Sequence, residues 1–369
     1  LQLSIREQEM HSSTSNSELS PECPQRPWGR IFWGALVFCA VMLAAWELHV
    51  RGLGYAPTLN DTSDLWAAER NRVSKDSIVI IGASRVLFDL DLDILEKTLG
   101  QRPIQLAMAG SCAYPVLQDL ADDPNFGGTV ICGVVPAIFF APAGPPVERA
   151  MTALERRKTQ TPAQLWGHHI GMFLQERFAF IQQDDLTLKA LVRRISIPNR
   201  PTVHLPPALP PYFSTIDRDR RTRMVAACEK PGPLQTRVKD GWLPLFTPPP
   251  PPPDVPKEAF MEQMGKAFEK RFQDTIAAVN KIRERGGRVV FVRCPSTGPL
   301  LAHEQQLAPR ERFWDPLVQR TGAPGIHFQD YPELAGFDCP EYSHLSAGDS
   351  VLFTERLAPH LENALKRAN

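Results

Sequence analysis

The sequence has no excess of charge of either sign: 41 basic side chains balance 41 acidic ones. A nucleic-acid-binding surface needs a basic surplus, so nothing global points to nucleic acid or to an acidic partner. There is no phosphate-cradling glycine loop, and no cofactor is implied. The seven cysteines include no C-x-x-C pair, which removes a zinc ribbon and a thioredoxin-like site. Cys112, Cys132 and Cys294 sit in or beside apolar segments and read as small buried hydrophobes. Cys228 and Cys339 could pair only in an oxidising compartment. His168 and His169 are adjacent, project differently on a helix and lack a third ligand at i+4, so no metal site is expected.

What the chain has in quantity is proline, 36 residues, about twice the usual share, crowded into the middle. Apolar content of 43% is ample for a large core. Residues 1–30 form a tail, Ser-, Glu- and Gln-rich up to residue 26 and without apolar period, so it is expected to be disordered. Residues 31–50 follow as an apolar run, uncharged from Ile31 to Trp46 and extended by Leu48 and Val50 to the ~20 residues a bilayer core requires. Trp28, Trp33 and Trp46 lie toward its ends, as in an aromatic belt. A cleaved signal peptide and a buried core helix compete with a membrane anchor. The absence of an A-x-A site and the long preceding tail favour the anchor. Arg26 and Arg30 precede the run and Arg51 follows it, which favours a single-pass topology with the main domain outside the cytoplasm, in a periplasm-like compartment.

The remainder reads as α/β. Ser77-Ile78-Val79-Ile80-Ile81 is a buried parallel strand that ends at a tight turn, Gly82-Ala83-Ser84-Arg85. Pro103–Ala107 and Thr129–Val135 are further strands, and with intervening helical stretches they form βαβ units. These belong to residues 51–140. Residues 141–256 carry helical pieces (Val147–Arg157, Ala163–Gln182), proline clusters at Pro206, Pro207, Pro210 and Pro211, the polyproline segment Pro248–Pro253 and no convincing strand. They are expected to be an insertion, serving as a lid, a partner surface or a structural excursion. Residues 257–369 resume the pattern. A helix Lys257–Arg285 stops at Gly286-Gly287, strands follow at Arg288–Val292 and Ile326–Phe328 with a helix at Arg310–Arg320 between them, and a last helix, Ala347–Lys366, is capped by Ser346 and Asp349.

Two sites at the carboxyl edge of this sheet carry chemistry. Ser84 follows the first strand, where open α/β sheets bind ligands. His344 lies on the loop before the last helix. A serine needs a neighbouring base, histidine suits that task near neutral pH, and a carboxylate must hold the imidazole's tautomer. Glu341, three residues before His344, and Asp338 are the alternatives for that carboxylate. Arg85 could neutralise an anionic substrate or pair with Asp89 at i+4.

These blocks resemble the SGNH (GDSL-type) hydrolase family over about 200 residues of the two sheet halves. Gly82-Ala83-Ser84-Arg85 looks like the nucleophile block. Ala109-Gly110-Ser111 looks like the second block, with Gly110 where the family uses a glycine amide in the oxyanion hole. Glu341-x-x-His344-Leu345 looks like the last block, where the family has Asp-x-x-His. The resemblance implies a doubly wound five-stranded parallel sheet, a Ser84–His344–Glu341 (or Asp338) triad, an oxyanion hole from the amides of Ser84 and Gly110, and acyl transfer through a serine ester. Two departures stand out. The third block's asparagine is absent from Gly133-Val134-Val135-Pro136, and losing one such donor can cost about 10²–10³ in rate. Glutamate also replaces aspartate. The anchor and the insertion look like the membrane-bound branch that modifies envelope polysaccharides. That implies an acylated glycan or other acyl ester as substrate, or, in a non-catalytic alternative, a scaffold that partners a membrane acyltransferase or export complex.

Overall fold

The structure is a computed structural model that describes residues 27–182, 186, 192, 209, 212–247 and 255–367. The expected disordered tail up to residue 26, the prolines at 206, 207, 210 and 211, and Pro248–Pro253 lie outside the described residues. The chain divides into two units, Leu1–Leu48 and His49–Asn369.

The first unit holds most of the helix Trp28–Gly52, which is 25 residues long. Its best 18-residue window has a mean hydropathy of 2.0 and is 0% buried. At 1.5 Å per residue it is long enough to cross a hydrocarbon core of about 30 Å. Its exposed apolar side chains, among them Trp33, Phe38 and Val41, speak against the core-helix reading.

In the second unit, Ile78–Ile81 (β1), Ile104–Gln105 (β2), Thr129–Gly133 (β3), Arg288–Arg293 (β6) and Gly325–His327 (β7) form one five-stranded sheet in the order β2-β1-β3-β6-β7. All its pairings are parallel. Each strand lies close to where the hydrophobic runs predict it. The four residues of β1 are all buried, and they alternate. Val79 and Ile81 join the core beneath Leu117, Val279, Ile282 and Leu317. Ile78 and Ile80 join the core beneath Leu92, Leu95, Phe353, Leu357 and Leu361. A strand covered on both faces must be apolar throughout, which is why β1 reads as an unbroken run.

The chain runs from β1 to β2 on one side and to β3 on the other, so the topological switch point lies between the carboxyl ends of β1 and β3. Both strands end in a glycine for the same physical reason. A Cβ on Gly82 would stand 2.4 Å from a Val86 methyl, and one on Gly133 2.3 Å from the other. Gly82 also holds φ +152, which L side chains rarely adopt. Val86 thereby sits between the two strand ends and draws the helix Ser84–Phe88 down onto the sheet.

The described residues of the stretch 141–256 belong to the same unit as the sheet. It contains the helices Pro145–Thr159, Pro162–Gln175, Ala226–Glu229 and Pro233–Phe246. It also holds an antiparallel hairpin, Ser214–Ile216 (β4) with Thr222–Met224 (β5). The sequence predicts no strand there. Three-residue strands separated by the charged run Asp217–Arg221 show no readable alternation, and the hairpin is held instead by distant ion pairs. Arg220, fully buried, donates to Asp61 and to the Gln105 carbonyl. Arg221 pairs with Asp91 and Asp93. A second unpredicted element, the helix Gly298–Leu307, follows β6. Cys228 and Cys339 are both buried and free, not paired. Of the adjacent histidines, His169 is exposed and His168 half-buried.

Candidate active site

Ser84 opens the five-residue helix Ser84–Phe88 immediately past β1 and is half-buried. In the first turn its N–H has no intrahelical acceptor. Phe88, one turn further on, stacks on the His344 ring with centroids 4.2 Å apart and planes inclined by 21°. Asp89 closes the same helix, and its Oδ1 accepts from the Leu345 N–H at 2.9 Å. The helix that starts at Ser84 is thus the one against which the His344 loop packs.

His344 and Glu341 are fully buried. His344 Nδ1 lies 2.8 Å from Glu341 Oε1, which also accepts the His344 backbone N–H at 2.6 Å. The other carboxylate oxygen, Oε2, accepts from Trp242 Nε1. A buried carboxylate that meets three donors has its lone pairs occupied in fixed directions. With Nδ1–H donating to Glu341, the lone pair falls on Nε2, the tautomer a general base requires. Nε2 is buried and has no hydrogen-bond partner among the described residues.

The turn that makes this pair depends on Tyr342, which holds φ +79. A bulky residue in the left-handed region costs about 1–3 kcal/mol and persists where surrounding contacts over-determine it. Here the Tyr342 carbonyl accepts from the Thr297 N–H and its own N–H donates to the Cys339 carbonyl, both at 2.9 Å. Asp338, the other sequence candidate, is exposed and makes no hydrogen bond with the imidazole.

The structure brings Ser84 and His344 to one rim but does not join them, because Ser84 Oγ makes no hydrogen bond with His344 Nε2. Gly110 follows β2 with φ +65 in an exposed turn, and a Cβ there would meet nothing within 4 Å. The neighbouring Ala109 carbonyl is tied down by Arg149 at 2.9 Å. In the third block, Val134 and Val135 are buried and Pro136 starts a short helix, so that block itself carries no side-chain amide.

Arg85 forms no hydrogen bond with Asp89, the i+4 partner the sequence offered. It is buried and pairs with Glu304, with Nη1 to Oε2 at 3.1 Å and Nη2 to Oε1 at 2.5 Å. Asp89 keeps helical backbone geometry, its N–H donating to the Arg85 carbonyl, but its Oδ1 accepts from the Leu345 N–H and not from the guanidinium. Arg293 at the end of β6 and Ser296 also donate to Glu304 Oε2, at 2.7 and 2.8 Å. Burial raises the Glu304 carboxyl, yet the two guanidiniums outweigh it and hold the group at about 2. Burial pushes the Asp89 carboxyl well above the usual carboxylate range.

Three contributors escaped sequence reasoning. Trp242 comes from the helix Pro233–Phe246 and sets its ring 5.4 Å from His344. Phe213, beside β4, lies 6.2 Å from the imidazole and 5.7 Å from Phe88. Glu304 lies on the unpredicted helix Gly298–Leu307. The one sequence signal for that helix is Thr297 followed by Gly298-Pro299, an N-cap residue with proline in the first turn.

No protein-family model and no curated protein matches the chain.

Proposed function

We propose that the chain is a membrane-anchored serine esterase or O-acyltransferase. The observation that carries this reading is the buried Glu341–His344 pair, with Nε2 unpartnered beside the helix that Ser84 opens. In the reaction, Ser84 Oγ attacks an acyl carbonyl and its proton passes to His344 Nε2. The developing oxyanion takes the N–H groups of Ser84 and Gly110. The leaving alcohol departs with the proton from Nε2, and an acyl-serine remains. Water or a sugar hydroxyl, deprotonated by the same nitrogen, then receives the acyl group as the bond to Ser84 Oγ breaks and the proton on Nε2 returns to that oxygen. Glu341 holds the tautomer and stabilises the imidazolium; Asp338, exposed, is the weaker choice for that role. The substrate class is an acyl ester, with acetylated envelope glycans fitting the resemblance to SGNH hydrolases. The helix Trp28–Gly52 serves as the single membrane span, and the arginine distribution favours an extracytoplasmic main domain.

Labelling with a fluorophosphonate probe tests the reading. Wild type is expected to label, and Ser84→Ala and His344→Gln are expected not to. Equal labelling of wild type and Ser84→Ala refutes it. A second reading, a non-catalytic scaffold beside a membrane acyltransferase, is favoured by the imidazole's enclosure and by the third block's lack of an asparagine. Under that reading wild type does not label and Ser84→Ala retains function in cells.

A further inference from the structure

The helix Pro162–Gln175 is built inside out. A helix on the surface of a soluble domain turns apolar residues inward and polar ones outward. Here Gln164, Gly167, His168, Gly171, Met172 and Gln175 face inward and line a cavity of about 270 Å³ against Leu59–Leu65. Gln175 is buried, and its Oε1 accepts the Asn60 N–H at 3.0 Å. The outer face carries Leu165, Trp166, Ile170 and Phe173, which are 40%, 70%, 58% and 51% exposed. Trp166, Ile170 and Phe173 are spaced by four and three residues, with Leu165 beside Trp166, which puts them on one side of the helix. The capping box between Thr161 and Gln164 fixes the start of the helix. Its inner face is held by the Gln175–Asn60 hydrogen bond and by Met172 packed against Leu59 and Leu65, while the larger apolar residues of the outer face are turned away from the protein.

The far end of this face is tied to the end of the apolar N-terminal helix. Arg177 lays its guanidinium over the Phe173 ring at 3.7 Å, and its carbonyl accepts from Arg51 Nη2 at 3.0 Å. Arg51 follows Leu48 by three residues, and Leu53, next beyond the helix, is 60% exposed. Three helical residues span about 4.5 Å, so in the anchored protein Phe173 is held close to the depth at which the chain leaves the bilayer. Tryptophan and long-stemmed arginines suit that depth, the ring at the headgroup level and the cations reaching phosphate.

We infer that the outer face of Pro162–Gln175 lies in the interfacial layer of the same bilayer that holds the anchor. It gives the domain a second membrane contact, of the kind an amphipathic helix lying in the interface makes. The inference rests on the anchor reading. Its test uses the full chain reconstituted in phosphatidylethanolamine/phosphatidylglycerol vesicles, with Cys23→Ser and Cys39→Ser as background. An environment-sensitive fluorophore is attached in turn at Leu43→Cys within the span, at Ile170→Cys on the face, and at the exposed Met261→Cys. Lipids carrying a nitroxide on the upper acyl chain are expected to reduce emission at positions 43 and 170 but not at 261. Quenching at 43 without quenching at 170, where aqueous iodide quenches instead, overturns the inference and leaves the anchor standing. Shielding of 170 from both quenchers means that a second copy covers the face, and also overturns it. No lipid quenching at 43 removes the anchor reading, and the inference with it.

Discussion

Replacing Glu304 with Gln keeps the shape and one acceptor oxygen of a side chain that holds two buried arginines together. It removes only the charge. Arg85 and Arg293 are then buried guanidiniums with no anion between them. Arg293 is already driven below its ordinary range, first by burial and then by the charge of Arg85. The size of the loss follows from linkage. The Glu304 carboxyl falls from 4.5 to about 2 in the folded protein, and at about 1.4 kcal/mol per pH unit this amounts to about 3 kcal/mol. That agrees with the 3–5 kcal/mol, in rough terms, for breaking a buried ion pair by removing one partner. A carboxylate held down in the fold stabilises fully above its unfolded value and loses that contribution as pH falls through its folded value. The Glu304→Gln deficit is therefore expected to be about 3 kcal/mol at pH 7. It is expected to shrink as pH falls from about 4.5 toward about 2. Urea unfolding of wild type and variant in detergent, followed by tryptophan fluorescence across a pH series, measures both quantities. A deficit below about 1 kcal/mol at pH 7, the scale of an exposed pair, refutes the reasoning, as does a deficit that does not narrow in acid.

Two further predictions concern neighbouring groups. Trp242→Phe keeps a ring beside His344 but takes one donor from Glu341. A hydrogen bond to a charged group is worth about 1.5–3 kcal/mol, so fluorophosphonate labelling should slow roughly tenfold to a hundredfold, and an unchanged rate counts against Trp242 as a positioning residue. His327 is held at about 3, first by burial and then by the charges of Arg293 and Arg310. A base with a lowered folded value loses stability as pH falls below its unfolded value, and this costs about 2 kcal/mol at pH 5. In His327→Gln the drop in Tm between pH 7 and pH 5 should be correspondingly smaller, and an identical drop in both proteins refutes the assignment.

The sheet was legible because each strand carries its own signal. Ile78–Ile81 needs no distant partner to be read as buried, and the turn after it declares itself through Gly82. The pairing of His344 with Glu341 was legible for the same local reason, a spacing of three residues in one loop. Choosing between Glu341 and Asp338 was not. That choice depends on the left-handed Tyr342, and no residue type announces such a backbone in a tyrosine. Arg85 misled because i+4 spacing does not fix a partner: Asp89 completes the helical turn, yet its carboxylate accepts from the Leu345 N–H, while Glu304 approaches the guanidinium from 219 positions away. Trp242 and Phe213 were hidden in a stretch whose prolines interrupt any period. Their function lies in a tertiary contact that neither their spacing nor their composition records.

The enclosure of His344 decides which part of the chain would control a reaction there. An unpartnered buried nitrogen costs about 1–3 kcal/mol, and a purely structural histidine in so polar a loop would be expected to satisfy it with a neighbouring donor. Glu341 fixes the imidazole so that only Nε2 remains available, and Phe88, Phe213 and Trp242 surround the ring. Ser84 starts the helix on which Phe88 sits, about 6 Å further along its axis, and side chains on a helix tilt toward its N-terminus. In the reaction proposed above, the sheet would therefore fix the separation of Ser84 and His344, and Phe213 and Trp242 of the insertion, which pack beside the imidazole, would cover the approach to it. In the proposed reaction the sheet supplies the chemistry and the proline-rich stretch supplies access. Substitutions in the helix Pro233–Phe246 should then alter the rate at which Ser84 is acylated while leaving the fold of the sheet intact.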